Sequence, residues 1–231
     1  MDILEQTKPN KNKWISFLAD GILSGLMLGI GGMVSLSSEN RFLGAFLFSL
    51  GLFCIVQFKY GLFTGKVGYI VSRDLPYVAE TAVTLVGNAL GTLIAALLLR
   101  QVRFFTSTVS TMDVTISDRV QATVDGKIHD NPLSIFILAI FCGILMFTAV
   151  EGSRKCKEEK NFAGSLFVVV MPVMVFIICG FNHCIADMFY YFFAGCPEPS
   201  KAIVYFILAI AGNSVGGMIV PLLKKLSNQP L

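Results

Sequence analysis

The sequence predicts an all-α membrane protein: six transmembrane helices in two inverted halves, with helices 2 and 5 broken. Three observations carry that reading. Only 14% of the 231 residues are charged, whereas a soluble domain carries about 25%. Six uncharged runs, 21–38, 42–58, 81–99, 131–150, 161–186 and 202–223, each come close to the ~20 residues that a helix needs to cross a bilayer. Glycine and polar residues interrupt the second and fifth crossings at membrane depth. A soluble helical bundle would show a polar face on every turn, and these runs do not.

The elements follow in order. The leader M-D-I-L-E-Q-T-K-P-N-K-N-K is polar, and no small-residue cleavage site follows it. The first run therefore reads as a crossing and not as a cleaved signal. The second crossing ends in K-Y-G-L-F-T-G-K (59–66), and the third carries G-N-A-L-G (87–91). A loop at 102–130, rich in Thr, Ser, Val and Asp, has room for short local structure. The fourth crossing leads into R-K-C-K-E-E-K (154–160), and the fifth meets G-F-N-H (180–183). The sixth contains G-N-S-V-G (212–216) and ends near Lys224 and Lys225. Irregular backbone at such depth is tolerated only inside protein or beside water.

Six crossings put both termini on one side. That side holds Lys8, Lys11, Lys13, Arg73, the 154–160 cluster, Lys224 and Lys225, and the other holds Arg41, Arg100, Arg103, Arg119, Lys127 and Lys201. The excess marks the termini as cytoplasmic, in a multi-pass protein of the plasma membrane. The division is then a cytoplasmic segment 1–13, one membrane domain 14–226 and a cytoplasmic tail 227–231. Within the domain, halves at about 14–101 and 131–226 flank the outer loop 102–130. The net charge of +3 is too small to suggest nucleic acid, and the six cysteines are too scattered for a disulfide framework or a metal cluster. No cofactor or metal is expected.

G-N-A-L-G and G-N-S-V-G stand about half a chain apart. They relate the broken second crossing to the broken fifth. With three crossings per half, the second copy lies upside down, as in transporters and channels. Taken alone, G-N-x-x-G equally fits helix packing through small residues. Helices restarting after Gly65 and after His183 would aim their N-termini at the membrane centre. Those ends carry partial positive charge and free N–H groups. Their meeting would attract an anion mildly, without a deep lysine that binds too tightly for release.

The chain resembles the formate/nitrite transporter family over nearly its whole length. The carrying motifs are F-S-L-G-L (48–52), L-F-T-G (62–65), C-G-F-N-H-C-I-A-D-M (179–188) and G-N-S-V-G-G (212–217). The resemblance implies an aquaporin-like fold, a homopentamer in lipid and one pore per protomer. It implies that Thr64 lies on the loop breaking helix 2, and His183 on the loop breaking helix 5, at the pore centre. Phe48 and Phe176 match an outer hydrophobic constriction, and Leu52, Leu62 and Phe63 an inner one. Lys127 falls where the family has a vestibule lysine. The implied substrates are small monovalent weak-acid anions such as formate, nitrite and hydrosulfide. Seen without the motifs, the phenylalanines would be packing residues, and Thr64 a helix-end hydroxyl.

Three positions depart from the family's usual pattern. Asn182 replaces a common Glu, Asp187 replaces a common Asn, and Gly143 stands where several relatives place an asparagine. Asp187 would repel an anion if left unpaired. Lys66 or Lys59, flanking the other break, is the partner expected here, unless both lysines snorkel to the interface. If Asp187 instead approached His183, it would keep the ring charged. His129, in K-I-H-D, reads as a solvated residue without a cluster of metal-ligand partners. His183 has two roles open to it: lending a proton to the passing anion, or only donating a hydrogen bond. An aquaporin-like path for water or small neutral solutes is the alternative function, but it lacks paired Asn-Pro-Ala loops and leaves His183 idle. An intramembrane enzyme using His183 and Asp187 lacks a nucleophile at a supporting spacing.

Overall fold

The computed structural model describes residues 13–109 and 113–228. The expected cytoplasmic leader thus lies outside the described residues apart from Lys13, as does the tail beyond residue 228. Nine helices are present among the described residues. They are α1 (Lys13–Ser37), α2 (Arg41–Phe58), α3 (Phe63–Lys66), α4 (Leu75–Leu99), α5 (Ile116–Ile128), α6 (Pro132–Glu158), α7 (Phe162–Cys179), α8 (Cys184–Phe193) and α9 (Pro199–Leu226). Six of them, α1, α2, α4, α6, α7 and α9, are long and apolar enough to cross a membrane. The short α3 runs into a 3-10 turn at Val67–Ser72. The second crossing is therefore α2 plus this short unit, and the fifth is α7 plus α8.

Local chemistry sets the ends. Asn40 and Asn131 each accept two N–H bonds at the starts of α2 and α6, using a side-chain oxygen to satisfy donors that a helix start leaves over. Cations bond several helix ends. Arg119 donates to Ser38 O at 2.8 Å, just beyond α1, and also to Leu36 O in its last turn. Arg100 donates to Phe193 O at 3.0 Å, at the end of α8. Both contacts neutralise the negative pole of a helix.

The loop 102–130 holds more order than its composition suggests. Strands β1 (Thr108–Val109) and β2 (Val114–Thr115) pair antiparallel, with Thr108 opposite Thr115. Then α5 starts on a capping box. Thr115 Oγ1 accepts from Asp118 N, while Asp118 accepts from Thr115 N. The bond from Thr115 also holds the Asp118 carboxyl below its usual range. Ile116, Val120, Val124 and Ile128 form a buried stripe along α5, so this helix covers one mouth of the bundle.

Packing repeats between the halves. α1 lies along α4, and α6 along α9. Small residues allow the approach. A methyl group on Gly25 would stand 2.6 Å from Thr92 N, and one on Gly143 would stand 2.9 Å from Gly217 N. Gly143 thus faces the backbone of α9 and is a packing residue. The outward faces stay apolar. Phe42, Phe46 and Leu50 of α2 are 63%, 50% and 56% exposed, which suits lipid or a neighbouring protomer rather than water.

Candidate functional site

Two breaks build the centre. α2 stops at Lys59 (φ 60°) and α7 stops at Gly180 (φ 71°), both in the left-handed region. Glycine adopts that geometry freely, whereas for a lysine it costs about 1–2 kcal/mol. Leu62 and His183 follow in extended conformation as helix N-caps. The first restart comes at Phe63 and not after Gly65, so Thr64 and Gly65 sit in the helical turn beyond the break. The backbone turns back at Lys59, and that leaves Leu62 as the last extended residue.

Twin asparagines hold the breaks in shape. Asn88 Oδ1 accepts from Phe63 N at 2.9 Å, and its amide donates to Gly61 O at 2.8 Å and Gly21 O at 2.9 Å. In the other half Asn213 Oδ1 accepts from Cys184 N at 2.9 Å, and its amide donates to Asn182 O and Ala139 O, both at 2.8 Å. Each asparagine bonds the carbonyl just before the N-cap of a helix and the first N–H within that helix. Buried backbone groups need such partners. The G-N-x-x-G repeat is therefore more than small-residue packing. Its asparagine shapes the break.

His183 and Thr64 meet where the two breaks face each other. His183 Nε2 lies 3.1 Å from Thr64 Oγ1, and both residues are buried. His183 Nδ1 accepts from Ala186 N at 3.2 Å as the cap of α8. An accepting Nδ1 puts the proton of the neutral ring on Nε2. The ring therefore donates to Thr64 and offers a donor at the centre.

Asp187 points elsewhere. Its Oδ1 lies 3.2 Å from Lys127 Nζ, and its Oδ2 accepts from Tyr205 OH at 2.6 Å. Lys127 also donates to Asn182 Oδ1 at 2.8 Å, and Asn182 donates to Ile135 O at 3.2 Å. The expected pairing with Lys66 or Lys59 is thus overturned. Lys66 donates to Thr84 Oγ1 at 3.2 Å and sits 4.6 Å over the Phe17 ring. Lys59 is the exposed cap of α2. The reason is geometric: α5 folds over the break between α7 and α8 and brings Lys127 to Asp187, while Lys59 and Lys66 belong to the opposite break. Asp187 touches His183 only through the backbone, N–H to O at 2.9 Å.

Apolar side chains flank this centre. The Phe48 and Phe176 rings meet edge to face, 5.7 Å between centroids, and Phe176 lies 5.6 Å from the His183 ring. Leu52, Leu62 and Phe63 are buried in the same core. Beyond them lie two cavities. One, of about 390 Å³, is bordered by Leu62, Lys59, Lys66, Arg154 and Lys157. The other, of about 440 Å³, is bordered by Phe176, Arg41, Arg119, Lys127 and Asp187. A profile of the formate/nitrite transporter family matches residues 4–225.

The chain belongs to the formate/nitrite transporter family. It is 26% identical to the formate channel FocA of Haemophilus influenzae over 79% of this chain and 67% of that one. It is 27% identical to the uncharacterized transporter YrhG of Bacillus subtilis, over 88% and 81%. A pentameric formate channel with formate bound shares the fold at a TM-score of 0.75 and 24% identity, over 96% of this chain and 99% of that one. A second structure, an ion channel of the same family, gives a TM-score of 0.76 at 16% identity, over 96% and 92%.

Within this family frame, three groups were not singled out from the sequence. Tyr205 reaches Asp187 from α9, and its signal was only a tyrosine in an apolar crossing. Glu151 is buried and accepts from Tyr69 OH at 2.6 Å and Arg154 Nε at 2.9 Å, two residues that border the cavity beside Lys59. Against the expectation of no partner cluster, His129 has Asp125 and Glu198 at 2.9 and 3.1 Å. Lys201 Nζ stands among them, 2.6 Å from His129 Nε2 and 2.7 Å from Glu198. An ammonium there opposes a metal ion.

Proposed function

We propose that this protein is a channel for small monovalent weak-acid anions of the formate, nitrite and hydrosulfide class. It would work as a homopentamer in the plasma membrane, with both termini cytoplasmic. Membrane domain 14–226 carries one pore per protomer. The cavity beside Lys59 is then the inner vestibule and the cavity beside Lys127 the outer one. The observation that carries the reading is the buried contact of His183 Nε2 with Thr64 Oγ1 between two helix breaks. Family membership, and the pentameric formate channel of like fold, support it.

Phe48 and Phe176 on one side, and Leu52, Leu62 and Phe63 on the other, form the constrictions. A bare ion loses its hydration there at a large cost, which excludes hydrated cations and protons. At the centre His183 and Thr64 replace part of the lost hydration shell. The proton geometry favours one of the two roles open to His183. A neutral ring that gave up its Nε2 proton would become an imidazolate. A doubly protonated ring would break the bond from Ala186 N–H to Nδ1. His183 therefore acts as a hydrogen-bond donor to the passing anion and not as a proton source. Lys127, held by Asn182 and Asp187, draws the anion toward the outer constriction, while Asp187 stops the lysine from trapping it.

Proteoliposomes loaded against formate, nitrite, hydrosulfide and water gradients test the reading. Anion flux in the wild type and its loss in His183→Phe are expected. Water flux without anion flux would instead establish the aquaporin-like alternative. Unchanged formate and nitrite flux in His183→Phe would remove His183 from the centre.

A further inference from the structure

We propose that Lys157 and Arg41 are matched selectivity residues, each cancelling the negative end of a broken helix where that end faces a vestibule. The inference rests on the anion-channel reading above. α2 and α7 point their C-termini at opposite vestibules. The last carbonyls of a helix lack intrahelical donors and carry roughly half a negative charge between them. Val56, near the end of α2, borders the cavity beside Lys59. Ile177, near the end of α7, borders the cavity beside Lys127. Left bare, both poles would repel an anion on its way to the centre.

A cation answers each pole. Lys157 Nζ donates to Val56 O at 2.8 Å, reaching across from the last turn of α6. Arg41 Nη2 donates to Ile177 O at 3.3 Å, reaching from the first residue of α2. Each cation borders the same cavity as the carbonyl it bonds. Two unrelated residue types, 101 and 136 positions from their acceptors, thus do one job at pseudo-equivalent places. The sign of the task is set by the architecture. Broken helices that start at the centre favour an anion there. The same breaks leave negative poles at both mouths, and a cation bonded to the terminal carbonyl offsets each pole at its source, although Gly180 N–H also bonds Ile177 O. Glu39 stands at the Arg41 cavity, so part of that arginine's charge is already opposed and the effect there is the smaller one.

Oriented vesicles, right-side-out and inverted, separate this role from plain helix capping. Formate uptake is measured against concentration at low and at high ionic strength. In Lys157→Gln, KM for formate supplied from the Lys59 side should rise about twofold to fivefold, with maximal flux nearly unchanged. High salt should erase the difference, and Lys157→Arg should restore the wild-type value. Arg41→Gln should do the same, more weakly, from the Lys127 side, with Arg41→Lys as its rescue. Loss of flux that is equal from both sides and insensitive to salt overturns the proposal in favour of a structural cap. Unchanged KM in both glutamine variants overturns it as well. A wild-type KM independent of ionic strength at both faces does so without any variant, even if the glutamine proteins fail to assemble. A wild type that carries none of these anions overturns the channel reading itself, and this inference with it.

Discussion

Removing the charge of Asp187 while keeping its shape tests how the polar cluster around Lys127 is balanced. In Asp187→Asn the side chain still accepts from Tyr205, but Lys127 loses a counter-charge 3.2 Å away. At an effective dielectric of about 20, that attraction is roughly 5 kcal/mol before desolvation is counted. An anion resting about 4 Å from Lys127 would lie about 6 Å from Asp187, where the repulsion is roughly 3 kcal/mol. The Lys127 side chain is 19% exposed, so water screens the site and about half of that repulsion is a fair working value. A gain of about 1.4 kcal/mol is a factor of about ten in affinity. The expected outcome is a KM for formate about tenfold lower, with a lower maximal flux because release slows. Initial rates against formate concentration in proteoliposomes give both numbers. Adding Lys127→Gln should return KM toward the wild-type value. A KM that is unchanged or raised in Asp187→Asn refutes the view that Asp187 offsets the lysine.

The other expectations concern the centre, the breaks, the packing and the Glu198–Lys201 ion pair. His183→Gln keeps a side-chain N–H donor and should retain part of the flux that His183→Phe loses, as read in the same vesicles. Asn213→Ala orphans Cys184 N–H and strips bonds from two carbonyls; at about 1–3 kcal/mol for an unsatisfied buried group, its melting temperature in detergent should fall clearly, and Asn88→Ala should match it. Gly25→Ala puts a methyl 2.7 Å from Gly91 Cα and should lower stability by at least about 1–3 kcal/mol, visible in thermal melts. The ammonium of Lys201 holds the Glu198 carboxyl below its usual range. That ion pair stabilises the fold above the unfolded carboxylate pKa, and the contribution disappears as pH falls through the lower folded value. Melts of Glu198→Gln and wild type should therefore differ at neutral pH and converge in acid.

The crossings were legible because hydrocarbon leaves little choice: uncharged runs of sufficient length must span it. Their true ends lie further out, at Lys13 and Leu75 for example, since charged residues at helix ends reach water. The break in helix 5 was legible from Gly180 and the polar residues after it. The break in helix 2 was misplaced by a few residues. Its turn falls on a lysine, which carries no local signal for left-handed backbone, and its shape is imposed by Asn88 from another helix. α5 lies in a stretch that reads as a loop with short local structure, because it is polar overall. Its apolar residues at every fourth position and its T-x-x-D start were nevertheless in the sequence. The partner of Asp187 was not legible. Lys59, Lys66 and Lys127 are chemically alike, and only the path of α5 over the break decides among them.

The cap bond at His183 has a mechanical consequence. The atom that caps α8 and the ring that faces Thr64 belong to one side chain, so the ring cannot swing aside without giving up the cap of the helix behind it. Capping contacts of this kind are worth about 0.5–2 kcal/mol, and Thr64 adds a second tether on the far nitrogen. The ring is thus held at both nitrogens, one by the helix it starts and one by the opposite break. A shift of the ring would cost α8 its cap and Thr64 its partner together.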